Sequence, residues 1–176
     1  MRAGFRRAAL AATLVALVAP PGWAGQEATV KASATWAGQG RFVPTGTGVM
    51  YFIGAFSGVM FVDSDQGPLN RAKILCPGTL EVEINGGKQQ GEGRCLISLN
   101  ETDQVYAKWS CTGVHQVDCK GPFTLTGGSG RFAGITGGGE LRVRSTLGEL
   151  TARPGELIQE TAAGLAEWPA LHYRIP

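Results

Sequence analysis

Seven of the thirteen residues from 127 to 139 are glycine. A helix or strand interior resists that density, since each glycine there costs about 0.5–1 kcal/mol relative to alanine. Tight turns between strands accept it, because glycine alone tolerates positive φ at no steric cost. Residues 124–139, TLTGGSGRFAGITGGG, therefore predict short strands joined by turns. Gly127, Gly128, Gly130 and Gly134 are assigned to those turns, and Phe132 fills the space between them.

The same punctuation runs through most of the chain. Residues 49–53 and 59–62 read as strands apolar on both faces, so both sides should be covered. Leu80, Val82 and Ile84 alternate with Glu81 and Glu83, the pattern of a half-buried strand with its acids in solvent. Residues 95–99 and 105–111 form a hairpin, and 122–126, 131–136 and 140–144 continue the series. No strand–helix alternation occurs, which argues for a sandwich or a closed barrel. An all-β antiparallel barrel of about eight strands fits the length and removes exposed edges. The apolar run 48–62 spans fifteen residues and holds three glycines, short of the ~20 a membrane helix needs. The tail is open at this stage. Residues 154–167 suit a helix starting at Pro154 or a strand, and 168–175 suit a closing strand. Two strands are favoured, as a short C-terminal extension.

The N-terminus carries an address. Arg2, Arg6 and Arg7 precede an apolar stretch at 8–18, then Pro20-Pro21, with small residues Gly22 and Ala24 before Gly25. This reads as a cleavable signal peptide over 1–24, too short to span a membrane. No cysteine directly follows the apolar stretch, against a lipid anchor. The mature chain, 25–176, is long enough for one domain with its own core and should be periplasmic or secreted. The signal takes three of the 16 basic residues and none of the 14 acidic ones, leaving a net charge of −1. No basic cluster remains, so neither nucleic acid nor anionic lipid is an expected partner.

Cys76, Cys95, Cys111 and Cys119 form an even set behind an export signal, which implies disulfides. They contain no CxxC, so no metal site is expected. A two-residue turn at Asn85-Gly86 would set Cys76 opposite Cys95, leaving Cys111–Cys119 to close a short loop. This pairing is favoured. Its rival is Cys95–Cys111 with Cys76–Cys119. A turn at 102–104 would then put Cys95, Ile97 and Leu99 opposite Cys111, Trp109 and Ala107 on one face.

Catalytic signals are sparse. The run 128–134 has a GxGxxxG look, but the residues after it are strand-like, and a phosphate loop needs a helix there. No GxSxG elbow occurs. His115 and His172 have no nucleophile near them in sequence and read as surface or satisfied histidines. Asp63, Asp65, Glu101 and Asp103 lack the ligand density of a calcium loop, and a turn role explains Asp103. No catalytic residue, metal or cofactor is assigned. Tyr51 (or its neighbour Phe52), Trp109 and Phe123 sit on strands with apolar inner faces and are candidates for lining a ligand cavity. Core packing is their competing role, since an eight-stranded barrel is just wide enough to be filled or to hold one small ligand.

Residues 127–137, GGSGRFAGITG, resemble the GGTGxFxGxxG hairpin of allene oxide cyclase-like and dirigent-like barrels, and of small exported bacterial proteins that pair it with cysteines. Gly93-Arg94-Cys95 and Trp109-Ser110-Cys111 extend the likeness to about half the mature chain. The resemblance implies a calycin-like or allene oxide cyclase-like barrel of eight antiparallel strands, an apolar cavity and trimeric assembly. It carries no functional acid onto this chain. The sequence thus leads to an exported barrel holding a small apolar or amphipathic molecule. The alternatives are a cofactor-free isomerase or cyclase, which needs a buried polar group in the cavity, and a structural or interaction protein of the cell envelope with a filled core.

Overall fold

The computed structural model describes residues 25–146 and 148–176; the expected signal peptide lies outside the described residues. The chain forms β1 (Gln26–Gly46), β2 (Val49–Val62), β3 (Ala72–Glu83), β4 (Lys88–Ser98), β5 (Gln104–Val114), β6 (Asp118–Gly128), β7 (Thr136–Ser145), β8 (Glu149–Thr151) and β9 (Ile158–Ile175). Each strand pairs antiparallel with the next through β7, β7 pairs with β9, and β9 returns to β1. The sheet closes into a barrel of eight strands, and β8 is an extra short strand on β9. Residues 145↔164 and 149↔161 keep nearly the same register, so β8 continues the line of β7 along β9.

The two apolar segments at 49–53 and 59–62 are one strand, because Gly54 and Gly58 sit in the sheet and not in turns. The tail is one strand over 158–175, and a helix at 154–167 is not formed. A bulge lies opposite Val30/Ala32, at Pro169-Ala170. Proline cannot donate to the ladder, and a bulge is where a sheet accepts it. The extra residue lets both Trp168 and Leu171 face the barrel interior, each nearly fully buried. Ile84, grouped above with Leu80 and Val82, lies past the end of β3 at the turn and is exposed.

Both ends of the barrel can be told apart. Loops 63–71, 99–103 and 129–135 cap one end with Leu69, Phe132 and Ile135, all buried. Met60, Ile74, Ile97, Val105, Phe123, Leu125, Trp168 and Tyr173 fill the adjoining half solidly. Residues 131–136 are therefore not a strand. Gly130–Phe132 form a single 3-10 turn, and β7 starts only at Thr136. No α-helix follows the glycines, which removes the phosphate-loop reading. Asp103 ties this turn to the neighbouring hairpin. Its Oδ1 accepts from the Arg131 backbone N–H at 3.1 Å, and Ser129 N–H donates to the Gln104 carbonyl at 2.8 Å.

Gly130 has φ +57, and a Cβ there would sit 2.2 Å from Asp103 Oδ1. Gly130→Val is expected to lose at least ~1–2 kcal/mol from the left-handed backbone alone, and more by displacing Asp103. Urea unfolding measures this; a wild-type midpoint would refute the assignment.

Candidate functional site

The half of the barrel away from the Phe132 plug is lined differently. Its inward positions alternate large rings with glycine. Phe52 lies flat over Gly40 and Gly54, where a Cβ would stand 2.3 and 2.5 Å from its ring. Trp109 covers Gly78 and Gly93, at 2.5 and 2.7 Å by the same measure. Leu80 covers Gly91, and Trp36 covers Gly164. Side chains that lie along the wall leave the barrel axis open. The result is a cavity of about 100 Å³, walled by Trp36, Phe52, Phe56, Leu80 and Trp109 and by the sulfur-bearing residues Cys76, Cys111 and Cys119.

The disulfides follow the hairpin registers. Leu75↔Leu96 and Gly78↔Gly93 bracket Cys76 and Cys95, placing them face to face with Cα atoms 4.1 Å apart. This is the register that a turn centred on Asn85-Gly86 predicts. Cys119 faces Gly113, one inward step from Cys111, and the two bond with Cα atoms 5.4 Å apart. The rival pairing fails because Cys95 stands opposite Ala107 and Cys111 opposite Gly91, four residues from the register it needed.

The three aromatic candidates go to different places. Trp109 lines the cavity. Tyr51 is on the outer face, over a groove with Thr79 and Glu81, while its neighbour Phe52 faces inward. Phe123 packs edge-on against Trp168 at 5.3 Å, in the filled half of the barrel.

A polar cluster at the cavity end went unrecognised in the sequence. Glu160 on β9 is only 4% exposed and Gln89 on β4 only 9%. His115, at the β5–β6 turn, lies between them. Its Nδ1 is 3.0 Å from Gln89 Oε1, and its Nε2 is 3.2 Å from Glu160 Oε1. Gln89 Nε2 donates to the Asp118 carbonyl at 2.9 Å, which turns the amide oxygen towards the ring. Nδ1 therefore donates to Gln89 Oε1, while Nε2 faces Glu160 Oε1. Gln116 Nε2 also donates to Glu160 Oε1, at 2.7 Å. Phe42 packs edge-on to the imidazole at 5.4 Å.

Burial alone pushes the Glu160 carboxyl up, but contact with His115, the hydrogen bond from Gln116 and the imidazole charge hold it below its ordinary value. A carboxyl lowered in the folded state stabilises the fold above its ordinary value of 4.5 and loses that contribution as pH falls through the folded value. Wild-type stability should therefore fall below about pH 4.5 more steeply than that of Glu160→Gln. Urea midpoints at pH 7, 4.5 and 3 provide the check; parallel curves would contradict it.

Parity along the strands marks each member of this cluster as inward-facing. His115 continues the inward series Val105, Ala107, Trp109, Cys111, Gly113, and Gln89 precedes Gly91, Gly93, Cys95. Glu160 precedes Ala162, Gly164, Ala166, Trp168 on β9. No family model matches the chain, and no curated protein is similar enough to it to match.

Proposed function

We propose that this chain is an exported barrel that binds one small, mainly apolar molecule in the half-open interior at the Glu160 end. The observation that carries the reading is the cavity itself. Glycines opposite Phe52, Trp109 and Leu80 hold those side chains flat, which keeps open a space that an ordinary core would fill. Buried polar side chains at one end give the apolar wall a direction, as in small-molecule sites generally. Two disulfides support folding in an oxidising compartment. The hairpin likeness to allene oxide cyclase-like and dirigent-like barrels is in keeping with this reading. Exposed Ile53, Phe61 and Leu75 on the outer face of β2 and β3 support self-association as part of it.

Acid–base catalysis in the same cavity is the weaker reading. A general base works best with a pKa near the operating pH, whereas Glu160 is held low and His115 Nδ1 is already bonded to Gln89. Native mass spectrometry on protein exported to the periplasm and purified gently tests the binding reading. A discrete extra mass on the disulfide-bonded chain is expected, and the oligomer is read in the same spectrum. A bare chain that no small apolar compound stabilises would refute it.

A further inference from the structure

The two ends of the barrel treat apolar residues in opposite ways. At the capped end Leu69, Phe132 and Ile135 are buried, and loops 63–71, 99–103 and 129–135 leave no large apolar side chain exposed. The turns and strand ends around the cavity mouth do the reverse. Ile84 is 60% exposed, Val114 41%, Val117 58%, Leu150 56% and Leu157 45%. A single exposed aliphatic is ordinary, but a set of them at one end, with none in the loops at the other, needs a cause.

Backbone hydrogen bonds hold these residues on one rim. Ile84 N–H donates to the Gly48 carbonyl at 2.9 Å, His115 N–H to Gly87 at 2.8 Å and Ser145 N–H to Val117 at 3.1 Å. They join the β1–β2, β3–β4 and β5–β6 turns to the end of β7. Leu150 pairs with Glu160 and so leaves the sheet on the same inner face, yet it stands in solvent. The barrel interior is therefore open beside Leu150. The apolar rim surrounds the way into the cavity walled by Phe52, Leu80 and Trp109.

Charge narrows what covers the rim. Among the same turns and strand ends, Arg41, Lys88, Arg144 and Arg153 stand against Glu83, Asp118, Glu149 and Glu156. The two sets balance, which suits a zwitterionic surface better than an anionic or a cationic one. A second copy placed mouth to mouth would seal both cavities. A lipid surface would cover the same rim and leave the cavity open to apolar molecules dissolved in the bilayer.

We propose that the open end of the barrel docks on a zwitterionic lipid surface. Ile84, Val117, Leu150 and Leu157 dip into the interface, and the small apolar ligand passes between bilayer and cavity. This rests on the binding reading above and names the source of its ligand. Docking of this kind scales with the apolar area buried and needs no attraction to anionic lipid.

Flotation of the disulfide-bonded exported chain with phosphatidylcholine vesicles tests it. The chain should float with them in about 1 M salt as it does in low salt, because a Debye length of ~3 Å weakens only charge-driven binding. Adding phosphatidylglycerol to the vesicles should not strengthen binding. Val117→Asp with Leu150→Asp should lower vesicle affinity about tenfold or more, since two apolar contacts become charges at the interface. Its urea midpoint should not change, because both side chains are exposed in the free protein. Tyr106→Asp removes a ring that is 41% exposed on the outer wall near the capped end, and it should float like the wild type. Four results would each overturn the proposal: no flotation, flotation that salt abolishes, flotation that requires phosphatidylglycerol, or an equal loss in Tyr106→Asp. A dimer that the double rim variant dissolves would also overturn it and assign the rim to a second copy. The ligand reading is scored apart, by the mass the chain carries. A chain that carries a ligand yet does not float overturns the lipid docking alone. A chain that floats but never takes up a ligand keeps the docking and overturns the ligand reading.

Discussion

Replacing all four cysteines with alanine should remove roughly 5–6 kcal/mol of folding stability, by loop-closure entropy. The two bridges span 19 and 8 residues, separations that give about 3 and 2.5 kcal/mol respectively. The loops do not overlap in sequence, so the two double variants should sum closely to the quadruple one. A domain of this size has roughly 5–15 kcal/mol in hand, so the quadruple variant should be marginal or unfolded. Both bridges also face inward. Truncation to alanine removes sulfur from the cavity wall and loosens β3 against β4 beside Trp109. Cys76→Ala with Cys95→Ala should therefore weaken ligand binding beyond its effect on stability. Urea unfolding of the wild type, both double variants and the quadruple variant is the measurement. A quadruple variant within about 1 kcal/mol of wild type would show that the closed sheet alone holds the registers.

What the sequence showed and what it hid divides along a physical line. Local signals were legible. The Asn85-Gly86 turn set the Cys76–Cys95 register, and glycine density between 127 and 139 marked the β6–β7 connection. Closure was legible only as an average, from strand number and length. Strand continuity was harder, because glycine signals two opposite things. At Gly130 it relieves a positive φ, whereas at Gly54 and Gly58 it lies within β2, where a Cβ would meet the backbone of β1. The two kinds cannot be told apart without knowing the neighbouring strand. The same holds for the polar cluster. Gln89, His115 and Glu160 are far apart in sequence and each looks ordinary alone. They meet because β9 closes the barrel on one side while the β5–β6 turn folds over the same end. Strand parity says that each points inward; only the closed register says that they touch.

Phe132→Ala should cost about 3–5 kcal/mol, the usual range for deleting a buried aromatic ring. The side chain is fully buried at the capped end of the barrel. The turn that holds it leaves little room for collapse. Phe132 N–H donates to the Ser129 carbonyl at 3.0 Å, its own carbonyl accepts from Ile135 at 3.0 Å, and the Arg131 guanidinium lies 5.1 Å from its ring centroid. Gly128 packs directly beneath, where a Cβ would stand 2.8 Å from Phe132 Cβ. A backbone fixed at both ends cannot follow the missing ring inward, so the void persists and the cost should fall in the upper part of that range. The polar cluster sits at the opposite end of the barrel, beyond the layer of Phe123, Leu125 and Trp168. Affinity of the folded variant for a small apolar ligand should therefore match that of the wild type, even as its urea midpoint drops. A cost near zero would place the ring in solvent. A large loss of affinity with an unchanged midpoint would mean that the cavity reaches the plug, and the division of the barrel into a filled half and a binding half would have to be abandoned.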